Sequence, residues 1–371
     1  MAYTGAPEWG KKYDQGMNLA VAEINAAGGV LGRPLEFIRR DTQLDAGHTI
    51  REVEELALRE NVEIFTGTLA GNVASAVSEY ADKNNKLFLA TIICSDNLVW
   101  ENGNAMTFKL HPPCSNLGRM LAEEAAKLPA QRWAFVGFYS AYNNEVLAGF
   151  NERLKELGKH IEWVDEQWTT IFKLDAGSVI NSIRQSKPDA VLNLLVTQDQ
   201  QAFIRYGNTV GFFDEVDVVM SPNFGLPEEY GPVPIGDVPV GWVSGVYPYR
   251  EINIPEHQAF VERFLEKYRD QPYYTSLLAY INVYAIAAAI KNAGSDNAID
   301  VAKAMRGMTF DSPVGEVKFR NIDQQADLGF WIGKVDKTGD KVVILDWSYK
   351  QGDQYYPTRD VIEKLRNRTS N

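Results

Sequence analysis

The chain has 371 residues, 45% hydrophobic and 23% charged, with a formal net charge of −12 and a pI of about 5.0. These values are those of a globular protein, and the acidic balance argues against nucleic acid or an anionic membrane surface as a partner, since both select basic faces. One core seldom grows past roughly 250–300 residues, so two lobes are expected.

Taken in chain order, the predicted elements alternate. The opening Met-Ala-Tyr-Thr-Gly-Ala-Pro lacks the basic and apolar regions of a signal peptide, which suits a cytoplasmic protein or a mature secreted one equally. Met17, Val21 and Ile24 then share one face of a helix. Asn25-Ala26-Ala27-Gly28-Gly29 stops it, because glycine takes the left-handed capping conformation at little cost. Short β-rich runs are predicted at 35–39, 62–65, 87–91, 133–138, 190–196, 216–220 and 240–246. Helical segments are predicted at 73–82, 117–127, 145–157, 178–185, 199–206 and 256–267. This alternation implies α/β lobes with parallel sheets covered on both faces. The longest apolar stretch, 279–290, includes Tyr280, Asn282 and Tyr284 and reads as a core helix, so no membrane insertion is expected.

The rhythm breaks at His111-Pro112-Pro113, at Tyr247-Pro248-Tyr249 and at Gly329-Phe330-Trp331, the last before a hairpin-like tail turning at 336–340. Three such breaks suit a chain that passes three times between two lobes, although three ordinary loops would read the same. Taken as crossings, they divide the chain into lobe I (1–112 plus 250–328) and lobe II (113–249 plus 329–371).

Catalytic and cofactor signatures are missing. There is no Walker A motif, no GxGxxG after a strand and no GxSxG elbow. His48, His111, His160 and His257 are scattered without metal-ligand spacing. The pairs Glu54-Glu55, Glu123-Glu124 and Glu228-Glu229 read as solvated faces rather than acid–base machinery. No enzyme activity, cofactor or metal is therefore expected. Cys94 and Cys114 are too few for a disulfide scaffold and too far apart for a CxxC motif, and the sequence leaves open whether they are bridged.

Residues 19–45 read LAVAEINAAGGVLGRPLEFIRRDTQLD. This block resembles the opening of the Leu/Ile/Val-binding-protein-like family of ABC-transporter solute receptors. Phe65-Thr66-Gly67-Thr68, Phe108-Lys109-Leu110, Lys187-Pro188-Asp189-Ala190-Val191, Ala293-Gly294-Ser295 and Asp311-Ser312-Pro313-Val314-Gly315 follow in the family's order. The resemblance implies the periplasmic binding protein type I fold: two Rossmann-like lobes joined by three hinge crossings. It also implies a periplasmic or otherwise extracytoplasmic location, a monomer, a small-molecule ligand and a membrane permease as partner. One departure stands out, since family members begin with a β-strand ahead of the turn that Tyr3-Thr4-Gly5 represents, and only Met1-Ala2 precede that turn here. A longer natural N-terminus is the expectation, because without the strand its neighbours keep unpaired backbone groups.

Ligands of open α/β sheets bind beyond the carboxyl ends of the strands. Two such ends, Gly67–Asn72 and Ile92–Asp96, each lead toward an expected helix start, where N–H groups and the dipole favour an anion. By resemblance these segments bind a ligand carboxylate. Relatives often carry a hydroxyl at the position of Gly71, so Asn72, Ser95 and backbone amides are expected to serve in its place, and Cys94 is counted among the ligand-binding positions. Trp9 matches an aromatic that caps the pocket, Tyr142 a second-lobe tyrosine that reaches the ligand, and Thr197 ends another strand. Asn223, with Phe224 beside it, stands where amino-acid-binding relatives place an acid for the ligand ammonium. The expected ligand is thus a small carboxylate with an apolar or aromatic body, or an amino acid, held by closure of the lobes; Glu228 could replace the missing acid. A ligand-sensing domain of the same fold is the alternative.

Overall fold

A computed structural model describes residues 1–369. The chain begins with α1 (Pro7–Ala26), α2 (Ala46–Arg59), β1 (Ile64–Gly67), α3 (Gly71–Lys83), β2 (Leu87–Ala90) and β3 (Thr107–Lys109). It continues through α4 (Cys114–Ala126), β4 (Arg132–Phe138), α5 (Ala141–Glu156), β5 (Glu162–Thr169), α6 (Ala176–Ser186), β6 (Ala190–Asn193), α7 (Thr197–Val210), β7 (Val218–Gly225), α8 (Pro227–Tyr230) and β8 (Val243–Val246). Then come α9 (Pro255–Tyr268), α10 (Tyr274–Ala293), α11 (Ala298–Met305), β9 (Thr309–Ser312), β10 (Gly315–Lys318), β11 (Phe330–Thr338), β12 (Lys341–Lys350) and α12 (Arg359–Thr369).

Two compact units result, with boundaries at 112/113, 248/249, 328/329 and 355/356. The last boundary differs from the sequence reading, which kept 356–371 in lobe II. The stretch from Tyr356 onward groups with unit 1 because Tyr356, Ile362 and Leu365 pack with Val99, Trp100 and Ile322. Arg366 reinforces this by donating to the carbonyls of Val99 and Trp100.

Unit 1 holds a parallel sheet in the order β1-β2-β3. Val73, Ala74, Val77 and Ala81 of α3 bury one of its faces with Phe65, Phe88 and Ala90, and Val53, Leu56 and Ala57 of α2 join them. The apolar stretch read at 279–290 extends to the whole of α10, which is long and apolar enough to cross a membrane. Most of α10 is instead buried, which makes it a core helix.

The strand expected at 35–39 does not form, and residues 35–40 carry no ladder. A cavity of about 230 Å³ lies here, lined by residues 35–42 together with Ile64, Phe65 and Thr66 of β1. Met1 pairs with this segment through its backbone: its ammonium donates to Arg40 O at 3.1 Å, and its carbonyl accepts from Thr42 N at 2.9 Å. Bonds to the two residues flanking Asp41 are the pattern of a parallel bridge.

Unit 2 is built on a seven-stranded sheet in the order β12-β11-β8-β7-β6-β4-β5. The strands β5, β4, β6, β7 and β8 pair in parallel. Numbered from β4, their order is 2-1-3-4-5, so the winding reverses between β4 and β6. The sheet is not wholly parallel as expected, because β11 and β12 extend it antiparallel. The tail hairpin turns at Gly339-Asp340, where Gly339 has φ +61°. β5 escaped the sequence reading; its partly exposed EWVDEQWT lacks the apolar run of a central strand and lies at the sheet edge. Ile180 and Ile183 of α6 and Phe203 and Ile204 of α7 pack on Ala134, Val136, Val191 and Val219. On α4 and α5, Gly118 and Gly149 let the backbones touch: a Cβ at either would lie 1.9 Å from Val146 O or 2.1 Å from Ser115 O.

Candidate functional site

In unit 1 the carboxyl ends of β1 and β2 present the two segments singled out from the sequence. After β1 the chain turns through Gly67 at φ +108° and Thr68 at φ +67° into α3. Left-handed backbone at a non-glycine residue costs free energy and clusters at functional turns. Thr68 is 4% exposed, and its Oγ1 has no hydrogen-bond partner among the described residues. Ala70 is the N-cap of α3 and supplies no side-chain cap. The first N–H groups of α3 are therefore open to an acceptor. Gly71 opens the helix, and a Cβ there would meet nothing within 4 Å. Asn72 follows and is exposed; Trp9, on the first turn of α1, is half-buried.

After β2, residues 92–96 run into a turn instead of the regular helix expected there. Cys94 is 9% exposed and Ser95 is half-buried. Lys109, fully buried on β3, donates from Nζ to Cys94 O at 3.0 Å and to Ser95 O at 2.8 Å. Both cysteines are disulfide-bonded, which answers the question the sequence left open. The sulfur of Cys94 is accordingly no thiol donor to a ligand, and only the backbone of that residue remains eligible.

In unit 2, Tyr142 follows β4 and Thr197 follows β6, the two strands that flank the reversal of winding. The β4–α5 turn is held by Ser140, whose Oγ accepts from Asn143 N at 3.1 Å. The Tyr142 ring stacks on Phe138 at a centroid distance of 6.2 Å and an interplanar angle of 23°. Its hydroxyl accepts from Asn223 Nδ2 at 2.8 Å and keeps its own proton to donate. Thr197 has φ +49°, and its N–H donates to Glu229 Oε2 at 2.7 Å. Phe224 departs from the expected ligand contact: it is 1% exposed and packs in the core against Trp242, ring centroids 4.9 Å apart.

The reading of Glu228-Glu229 as a solvated pair is overturned, because the two residues are 4% and 2% exposed. Burial pushes the Glu229 carboxyl up to about 7; the N–H of Thr197 pulls it down and the charge of Glu228 adds to the rise. Burial also raises the Tyr142 phenol, the Glu229 charge raises it further, and the Asn223 hydrogen bond opposes both. Glu229 was missed although a signal existed: it follows Gly225-Leu226-Pro227 at the carboxyl end of a strand, where site residues concentrate. Together Tyr142, Asn223, Thr197 and Glu229 offer a hydroxyl, an amide, a strained backbone turn and a carboxyl. Such a set suits hydrogen bonding to a polar group.

The profile of the family described as Periplasmic binding protein matches residues 4–340. A curated leucine-, isoleucine-, valine-, threonine- and alanine-binding protein of Pseudomonas aeruginosa is 22% identical, over 86% of this chain and 83% of its own length. An amino acid ABC transporter substrate-binding protein of Pseudomonas fluorescens Pf-5 has a TM-score of 0.84 at 22% identity, with 98% of this chain and 96% of that one covered. A solute binding protein of an ABC transporter from Rhodopseudomonas palustris BisB5, solved with 3,4-dihydroxybenzoic acid, has a TM-score of 0.85 at 19% identity, covering 95% of each chain. The resemblance read from residues 19–45 is upheld, the fold is the type I fold of these receptors, and the chain belongs to the periplasmic binding protein family.

Proposed function

We propose that the chain is the extracytoplasmic substrate-binding protein of an ABC importer and that its ligand is a small carboxylate with an aromatic or apolar body. The observation that carries this reading is the uncapped start of α3 at the carboxyl end of β1, with open space at Gly71. Backbone N–H groups and the helix dipole there favour an anionic group. Within unit 2, Tyr142, Asn223, Thr197 and Glu229 form a second cluster suited to a polar ligand group. Ligand binding then acts as a population shift, limited by the ligand's preference for the binding-competent state. The loaded protein would deliver its ligand to a membrane permease.

Relatives support a carboxylate without choosing its body. Some are named for leucine, isoleucine and valine, and others were solved with 3,4-dihydroxybenzoic acid, benzoate or p-hydroxybenzoic acid. Disulfide-bonded cysteines fit an oxidising, extracytoplasmic compartment. A thermal-shift panel of benzoate, 4-hydroxybenzoate, 3,4-dihydroxybenzoate, leucine, isoleucine and valine tests the reading. A ligand at 100 times its Kd adds about 2.7 kcal/mol of stability. Shifts with the aromatic acids support the reading. Shifts with the amino acids alone would overturn the ligand class and leave the receptor role intact.

A further inference from the structure

Lys109 is an unusual residue to bury. It lies on β3, in register with Ala90 of β2, and is 0% exposed. An ammonium taken out of water is costly unless its donors are satisfied. Here two of them reach beyond the end of β2 to the carbonyls of Cys94 and Ser95, at 3.0 and 2.8 Å. The Trp100 ring centroid lies 5.9 Å from Nζ. The strand carrying Lys109 is itself pinned, since its N–H donates to Gln324 O and its carbonyl accepts from Ala326 N.

A trans peptide is planar, with its C=O and N–H directed oppositely. With the carbonyls of Cys94 and Ser95 drawn toward Nζ, the next N–H groups, of Ser95 and Asp96, are turned away from the buried lysine. The positive charge behind these two peptides also polarises them, which strengthens the N–H groups as donors. They stand beyond the carboxyl end of β2, where ligands of parallel sheets bind. The geometry points to Lys109 as a positioning residue for the carboxylate subsite, one that orients two backbone donors without touching the ligand. This inference rests on the carboxylate reading above for its functional part, and on the hydrogen bonds of Lys109 for its structural part.

The two parts are tested separately on the full chain. Hydrogen exchange on the ligand-free protein reads the segment 91–97 in the wild type, Lys109→Met, Lys109→Gln and Lys109→Arg. Exchange there should rise at least tenfold in Lys109→Met, while the segment 71–83 stays within twofold and Lys109→Arg restores most of the protection. A lysine that only stabilises the unit would lower the melting temperature and accelerate exchange evenly, and that result overturns the proposal. Should Lys109→Met not fold, Lys109→Gln and Lys109→Arg carry the comparison, and equal local exchange in these two also overturns it. Calorimetric titration with benzoate and with leucine reads the subsite. Whichever binds the wild type should lose at least tenfold in Kd in the neutral variants and less than threefold in Lys109→Arg. Binding within twofold of wild type in the neutral variants sinks the subsite role. If neither probe binds the wild type, the carboxylate reading of the site fails, while the exchange data still decide whether Lys109 orders the loop.

Discussion

Replacing Glu229 by glutamine should change how the stability of the protein depends on pH. The carboxyl is 2% exposed and is pushed up to about 7 from an ordinary value of 4.5, chiefly by burial. A raised acid keeps its proton in the folded state to higher pH than in the unfolded chain. Between about 4.5 and 7 the folded protein thus binds more protons, and its stability falls as pH rises through that window. Above the folded value the loss levels off. From pH 5 to pH 8 these two values give a loss of about 2–3 kcal/mol attributable to this one group. Glu229→Gln removes the titration, and the amide oxygen can still accept from Thr197 N, so the hydrogen bond that shapes the turn is kept. Urea unfolding at pH 5, 6, 7 and 8 measures the difference. His111 and His257, held down to about 4 by burial, act equally in both proteins and cancel. The gap between wild type and variant should shift in the variant's favour as pH rises. Parallel profiles would show that Glu229 is ionised at little cost and would refute the burial argument.

Two further outcomes follow from the geometry of unit 1. Gly71→Ser places a side chain where a Cβ meets nothing within 4 Å, so stability should stay within about 0.5 kcal/mol; the added hydroxyl at the start of α3 should tighten carboxylate binding several-fold in the same calorimetric titration. Adding a six-residue strand of alternating valine and threonine ahead of Met1 should raise the melting temperature, because it continues the parallel bridge at Asp41 into the cavity of about 230 Å³. At roughly 24 cal/mol per Å³ an enclosed void of that volume would cost about 5.5 kcal/mol, an upper bound because this cavity is partly open, and a glycine-serine extension of equal length, unable to fill the space, is the control that should leave the melting temperature unchanged.

Period and punctuation were enough to reveal most of the architecture. Apolar spacing located α1 through Met17, Val21 and Ile24, and short β-rich runs located β2, β4 and β6, because those patterns report which face of an element is buried. The proline and glycine breaks at 111–113, 247–249 and 329–331 lie beside three of the four unit boundaries. Strand ends could be named from order alone, and the structure does place Gly71, Ser95, Tyr142 and Thr197 just after β1, β2, β4 and β6. Tertiary structure decided what pairing and burial decide. Residues 35–40 have the composition of a strand but no neighbour to complete a ladder, and a strand exists only through its partner. The C-terminal helix joins unit 1 through Ile362 and Leu365, a choice that rests on long-range packing against Val99 and Trp100. Phe224 and Glu229 exchanged their expected surroundings, the ring turning into the core and the carboxylate becoming buried, because a sequence records the charge of a side chain and not the dielectric around it.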